Sequence, residues 1–305
     1  MTTATANPPR RFRVSRRVLP YLLSLPALLT CIGILVPFLT AAWYSLHRYR
    51  LSQPWSYKLN WGENYLNFFT DESFWNTLKV SVLYAFWTVS VELLLGLGIA
   101  LLLVKRSRVN NFISIMLLMP LMTAPALASL IWKLMTNPGF GILSYLVTLL
   151  GIQDFNWASD PRTAMLTVVI VDVWVYTPFI MILLLAGLRS LPQQPFEAAA
   201  LDGVPRLFVF WRITLPMLTP FLLTATLFRV IESIQQFDII YAMTQGGPGD
   251  KLTVFQVEAY LNFFQSTNVG RSAALLMILW AITYALSNVF IKQWLRLRER
   301  QRGNA

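Results

Sequence analysis

The sequence predicts an all-α, polytopic membrane protein that crosses the bilayer six times, and two observations carry that prediction. Hydrophobic residues make up 56% of the 305 and charged residues only 13%, whereas a soluble protein carries about 25% charged residues; mean hydropathy is +0.54. Apolar runs recur at residues 18–46, 80–104, 112–135, 164–188, 215–237 and 272–294. Each is close to the ~20 residues that a helix needs to cross hydrocarbon, or is longer and crosses with tilt. An even number of crossings puts both termini on one side.

The net charge of +11 is explained by where the bases lie. On the side of the termini sixteen Lys and Arg accompany three acids, Glu197, Asp202 and Glu299; on the other side eight bases accompany eight acids. Bases concentrate on the cytoplasmic side, so both termini and the 190–216 loop are expected in the cytoplasm. The basic surplus then reports topology and contact with anionic membrane lipid, and gives no support for nucleic-acid binding. One cysteine, Cys31, excludes an internal disulfide, and one histidine, His47, leaves no His/Cys metal cluster to build. There is no glycine-rich phosphate loop ending in Gly-Lys, so the chain is not expected to hydrolyse ATP by itself, and no compact catalytic motif such as Gly-x-Ser-x-Gly or a zinc-binding His pair.

In order, residues 1–17 read as a basic cytoplasmic tail whose first nine residues are disordered. The tail and first apolar run imitate a signal peptide. That run, however, is too long for a signal core, contains Pro20, Pro26 and Pro37 and lacks a cleavage site, so it is expected as a retained, proline-bent first helix. The loop from His47 to Lys79 holds Trp55, Tyr57, Trp61, Tyr65 and Trp75, rings that favour the headgroup layer. The runs at 142–150 and 254–265 are too short to span; the first is expected as an interfacial or re-entrant helix and the second as an interfacial helix, preceded by a turn at Gln245–Gly249. Residues 18–294 thus form one membrane domain, and 295–305 a second basic tail.

Ionisable groups inside hydrocarbon cost about 2.5–3.5 kcal/mol each on insertion scales and need a partner or a wet cavity. Span two aligns Ser81, Tyr84, Thr88 and Glu92 on one helical face; span four carries Asp172, Trp174, Tyr176 and Thr177; span five carries Arg229, Glu232, Ser233, Gln235 and Gln236. Arg229 and Glu232 are placed to neutralise each other. Glu232, Gln235, Gln236, Phe237 and Asp238 extend a polar face toward the outer leaflet. Amides and carboxylates beside rings such as Trp174 and Tyr176 are the chemistry that binds a polyhydroxylated solute. These residues are the candidate substrate pathway.

The polar island at 190–216 reads as a helix of about three turns, with Ser190 as N-cap, Gln193 three residues on, Pro192 in the first turn and Gly203 as terminator. Ala198, Ala199 and Ala200 permit close approach of another surface, and Phe196, Leu201 and Phe208 offer apolar anchors.

Glu197-Ala198-Ala199, then Asp202-Gly203, then Ile213-x-Leu215-Pro216 resemble the EAA loop of inner-membrane permease subunits of binding-protein-dependent ABC importers. Gly62, Asn64 and Tyr65 with Phe69-Thr70-Asp71, and Phe237-Asp238 followed by Thr244-x-Gly246-Gly247-Pro248, are similar to the carbohydrate branch, typified by maltose-type and glycerol-phosphate-type permeases. Gln235, Gln236 and Phe237 stand where the maltose type has an Asn-Asn-Phe run at its sugar site; the large insertion and two extra N-terminal helices of that type are missing. The resemblance implies a type I ABC importer permease fold, with Glu197–Gly203 docked in a cleft of a dimeric cytoplasmic ATPase. It also implies a second permease subunit, an extracytoplasmic solute-binding protein and a sugar substrate. This chain would bind no cofactor, ATP and magnesium belonging to the ATPase. A non-sugar solute such as a phosphate ester, polyamine or amino acid is the alternative within the family, and an ATP-independent carrier the alternative outside it.

Overall fold

The protein is described by a computed structural model that covers residues 19–152 and 155–303. The expectations for residues 1–17 therefore lie outside the described residues. Thirteen α-helices follow in order among those described: α1 Leu19–Ser45, α2 Glu63–Thr70, α3 Glu72–Leu103, α4 Arg108–Leu117, α5 Pro125–Met135, α6 Ile142–Leu149, α7 Ala164–Ser190, α8 Gln194–Leu201, α9 Arg206–Val209, α10 Leu215–Ile234, α11 Asp238–Thr244, α12 Phe255–Phe264 and α13 Val269–Gly303. A two-residue hairpin pairs His47–Arg48 with Lys58–Leu59 in the loop after α1.

Five helical segments among the described residues are long and apolar enough to cross a membrane: Tyr21–Ser45, Glu72–Leu103, Ala164–Ser190, Arg206–Thr244 and Val269–Arg296. The third expected crossing, 112–135, is not one helix. It is α4, a 3-10 turn at Pro120–Met122 and α5, which Pro125 opens. Proline lacks the N–H of the helical ladder and disfavours helical geometry in the residue before it, so two prolines five residues apart divide a run that hydropathy alone reads as continuous. The second crossing starts at Glu72 instead of Val80. Asp71 caps it, its side chain accepting from the Ser73 N–H at 3.0 Å, and a cap sets a helix start that hydropathy does not register. Asp71 also pairs with Arg271 at the start of α13.

That pairing predicts a pH dependence. Its hydrogen bond to Arg271 is the largest influence holding the Asp71 carboxyl below its ordinary range. A carboxylate depressed in the folded state adds stability above its unfolded pKa and loses it as pH falls through the folded one. The melting temperature should therefore drop as pH is lowered below about 4, and Asp71→Asn should remove that part of the drop; identical acid profiles would refute the pairing.

The core has three clusters along the bundle. Tyr84 of α3 packs with Val168–Tyr176 of α7 and with α11; Ala100 and Leu103 of α3 pack with Ile180–Leu188 of α7 and Leu218 and Ala225 of α10; Phe68, Phe74, Ile234 and Phe255 gather against Ala274–Leu279 of α13. The principal contact is α3 on α7. It depends on Gly96, where an added Cβ would lie 2.7 Å from Ile180 Cγ2 and 3.1 Å from the Met181 backbone nitrogen. Overpacking of this kind costs about 1–3 kcal/mol, so Gly96→Val should lower the melting temperature of the purified protein by several degrees. An unchanged value would mean that the two helices can separate freely. Helix α1 lies against α13, with Phe38 edge-on to Trp280 at 5.3 Å, and most of its apolar side chains are exposed.

Candidate functional site

Two places on this scaffold carry chemistry, the loop between α7 and α10 and a charged cluster inside the bundle. In the loop, α8 covers Gln194–Leu201, so the expected start at Ser190 is wrong. Ser190 is the last residue of α7, and its hydroxyl donates to the Gly187 carbonyl at 2.7 Å. Pro195, not Pro192, sits in the first turn of α8, and Gln193 occupies the N-cap without a side-chain bond. The sequence placed two helices' punctuation in one, because α7 runs to the polar boundary. The end is as expected: Gly203 has φ +67°, its N–H donates to the Ala200 carbonyl at 3.3 Å, and the Val204 N–H donates to the Ala199 carbonyl at 3.0 Å. These two bonds are the paired closure of a Schellman motif.

The surface of this loop is open. Glu197, Ala198, Asp202 and Gly203 are exposed and Ala199 is buried; Leu201 is 90% and Leu207 70% exposed. Beyond Gly203, α9 runs into one turn of π-helix at Phe210–Thr214, whose last bond is Leu215 N–H to the Phe210 carbonyl. Ile213 and Leu215 are half-buried and Pro216 exposed at the start of α10.

The charged cluster joins three helices. Arg229 of α10 is completely buried, and so are Glu92 of α3 and Asp172 of α7. The guanidinium grips Glu92 with two bonds, Nε to Oε2 at 2.6 Å and Nη2 to Oε1 at 2.8 Å, reaches Asp172 Oδ2 from Nη2 at 2.8 Å, and reaches Glu232 Oε2 from Nη1 at 3.0 Å. It lies 4.0 Å from the centroid of the Tyr176 ring. The planar fork of arginine suits this multiple pairing, which the point charge of lysine would not reproduce. Sequence reasoning found Glu232 as a partner for Arg229 and missed that the two stronger partners come from other helices. The signal was present: three intramembrane acids and one base on three spans must meet something.

The cluster also organises the end of α10. That helix stops at Ile234, with Gln235 as its C-cap, so the expected continuous polar face through Asp238 is broken between α10 and α11. Gln236 spans the break: Nε2 donates to Asp172 Oδ1 at 3.1 Å, and Oε1 accepts from the Phe237 N–H at 3.2 Å. Glu232, Gln235 and Asp238 are exposed, Phe237 is half-buried and Gln236 is buried. Tyr176 joins the cluster, but Trp174 does not. Two residues apart on a helix they point about 200° from one another, and Trp174 meets Trp132 edge-on at 5.8 Å in an apolar cleft of about 530 Å³ between α3, α5 and α7. Trp174 therefore lies apart from Tyr176 and the charged cluster. Tyr241 and Tyr260 stand beside Phe237. Phe237 stacks on Tyr241 at 4.9 Å, Tyr241 meets Tyr260 at 4.7 Å, and Tyr260 meets Phe264 at 4.5 Å. The clue lay in the spacing of four between Phe237, the N-cap of α11, and Tyr241, and between Tyr260 and Phe264 on α12.

Comparison with known proteins gives the family. The family described as "Binding-protein-dependent transport system inner membrane component" matches residues 92–302. The chain is 34% identical over 275 residues to the trehalose/maltose transport system permease protein MalF of Thermococcus litoralis, covering 90% of this chain and 92% of that one. It is also 34% identical to the sn-glycerol-3-phosphate transport system permease protein UgpA of Agrobacterium fabrum, covering 89% and 92%. Its fold is similar to that of a chain in the crystal structure of a bacterial ABC transporter that imports the acidic polysaccharide alginate, with a TM-score of 0.79 and 16% identity over 92% of this chain and 96% of that one. The protein belongs to the inner-membrane components of binding-protein-dependent transport systems, and is a transport subunit of the inner membrane rather than an enzyme.

Proposed function

We propose that this chain forms half of the pathway of an ATP-driven sugar importer, with α8 as the helix through which a cytoplasmic ATPase moves it. The observation that carries this reading is the exposed, apolar tip of the 190–216 loop. Leu201 at 90% exposure and Phe208 at 51% stand beside Glu197 and the alanines of the EAA pattern, a surface that gains by being covered. In this reading ATP and magnesium sit on the ATPase dimer. Its closure pulls α8, tilts α10 and turns the cavity toward a solute-binding protein on the far side. Coupling is reciprocal in free energy, so a transporter held open to that side favours ATPase closure. A second permease subunit supplies the other half, residues 108–135 serve as the sixth crossing, and both termini lie with α8 on the cytoplasmic side.

The sugar assignment rests on the juxtaposition of Glu232, Gln235 and Asp238 with the rings of Phe237, Tyr241 and Tyr260, acceptors and donors for hydroxyls beside flat apolar faces. The relatives named for trehalose and maltose and for glycerol phosphate leave sugar and phosphate ester as the two readings within the family. Co-purification through a tag on this chain tests the assembly: an ATPase and a second membrane subunit should co-elute, and a neutral sugar with its binding protein should stimulate ATP hydrolysis. Uptake into liposomes that hold this chain alone would overturn the reading. Stimulation by phosphate esters, polyamines or amino acids and by no sugar would overturn the substrate.

A further inference from the structure

The charged cluster is unbalanced, and its one accessible member lies on the face that the proposed pathway uses. Three carboxylates, Glu92, Asp172 and Glu232, share one guanidinium. Arg229 and the first two have no exposed side-chain surface, whereas the Glu232 side chain is 46% exposed. Arg229 holds Glu232 by Oε2 and the Tyr176 hydroxyl is a second hydrogen-bond partner of the same carboxylate, while nearly half of the side chain still faces outward. Phe228 and Glu232 of α10 and its C-cap Gln235 fall at steps of four and three, and all three are exposed. A carboxylate at that position cannot face hydrocarbon cheaply, so this stripe lines a wet space.

Among the described residues no base other than Arg229 pairs with Glu232. The four partners of Arg229 bonds are Glu92 twice, Asp172 and Glu232, so its charge is spent inside the bundle. Asp238, the exposed residue that opens α11 beyond the break, is again acidic. Lys133 reaches α11 only at the Ala242 carbonyl, 3.4 Å away, in a separate cleft with Asn156, Trp157 and Pro248.

We propose that Glu232, held in place by Arg229 and through it by Glu92 and Asp172, is a specificity-determining residue that makes the pathway select uncharged polyhydroxy solutes and reject those carrying carboxylate or phosphate. The proposal rests on the sugar-importer reading and narrows its substrate class. A neutral sugar donates hydroxyls to the exposed lone pairs of this carboxylate. An anion meets a like charge in a partly desolvated wall, where repulsion is far stronger than in bulk water.

The test is solute binding to the co-purified permease–ATPase complex without the binding protein, read by saturation-transfer NMR, so that selection by the binding protein does not enter. The probes are a panel of neutral disaccharides and their uronate and 6-phosphate counterparts. The wild-type complex is expected to bind the neutral member at least about tenfold more tightly, with a gap that shrinks as salt is raised. Glu232→Gln, which can still accept from Arg229, should narrow the gap to about threefold or less and remove its salt dependence; Glu232→Ala should do the same without needing that bond. Equal binding of both classes by the wild type, or an unchanged gap in both variants, would overturn the filter and leave the sugar reading standing. Binding of no sugar of either class would overturn both.

Discussion

Arg229→Met is expected to remove most of the folded protein from the membrane fraction. The substitution keeps side-chain volume but leaves Glu92 and Asp172 buried without their counter-charge, and breaking one side of a buried ion pair costs about 3–5 kcal/mol, comparable with the whole stability of many domains. The yield of monodisperse protein and its melting temperature should both fall sharply. Arg229→Lys should recover only part of the loss, because an ammonium cannot make the double bond to Glu92 together with those to Asp172 and Glu232. Neutralising all three buried groups, as Glu92→Gln, Asp172→Asn and Arg229→Met together, should restore much of the yield, since apolar replacement of a buried ion network is often neutral or stabilising. A single Arg229→Met protein with wild-type yield and melting temperature would show that the cluster does not hold the bundle together.

The second large effect is expected at α8, where a change should disable transport without touching the fold. Leu201→Asp places a charge on a side chain that is 90% exposed in the isolated chain, so its own melting temperature should hardly change. A leucine buried on docking contributes about 1.5–3 kcal/mol, equivalent to roughly tenfold or more in association at 1.4 kcal/mol per decade. Capture of the ATPase and solute-stimulated hydrolysis should therefore fall by at least about tenfold. Gly203→Val should give the same phenotype by a different route. Nothing lies within 4 Å of the added Cβ, but φ is +67°, where a β-branched residue is strained. The strain acts on the helix end that presents Leu201. Normal hydrolysis and uptake in both variants would remove α8 from the coupling role.

The division between what could be read from the chain and what could not follows the range of the forces. Gly203 and the turn at Gln245–Gly249 are local: Gly203 has the positive φ of a helix terminator, and the chain turns at 245–249 with positive φ at Gln245, Gly246 and Gly249. The polar stripe Ser81, Tyr84, Thr88, Glu92 was legible as a stripe, and all four residues are buried on one side of α3. What it faces was not legible, because the pairing of Glu92 with Arg229 spans 137 positions. Helix boundaries failed where hydropathy was asked to do the work of capping. Ser190 reads as a beginning but ends α7, and residues 112–135 read as one span although Pro120 and Pro125 cut it. Trp174 was assigned with Tyr176 from nearness in sequence, and the helical rotation between them separates their surroundings.

The π turn at Phe210–Thr214 places one surplus residue between the grip of the loop and the charged heart of α10. Each residue advances an α-helix by about 100°, so that single insertion sets the phase between the direction in which Leu201 is offered and the direction in which Glu232 looks. Shortening the turn by one residue would leave both ends intact yet swing one against the other by more than a quarter of a circle. The angle between the exposed tip at Leu201 and the outward carboxylate of Glu232 is thus set in the pitch of five residues that belong to neither.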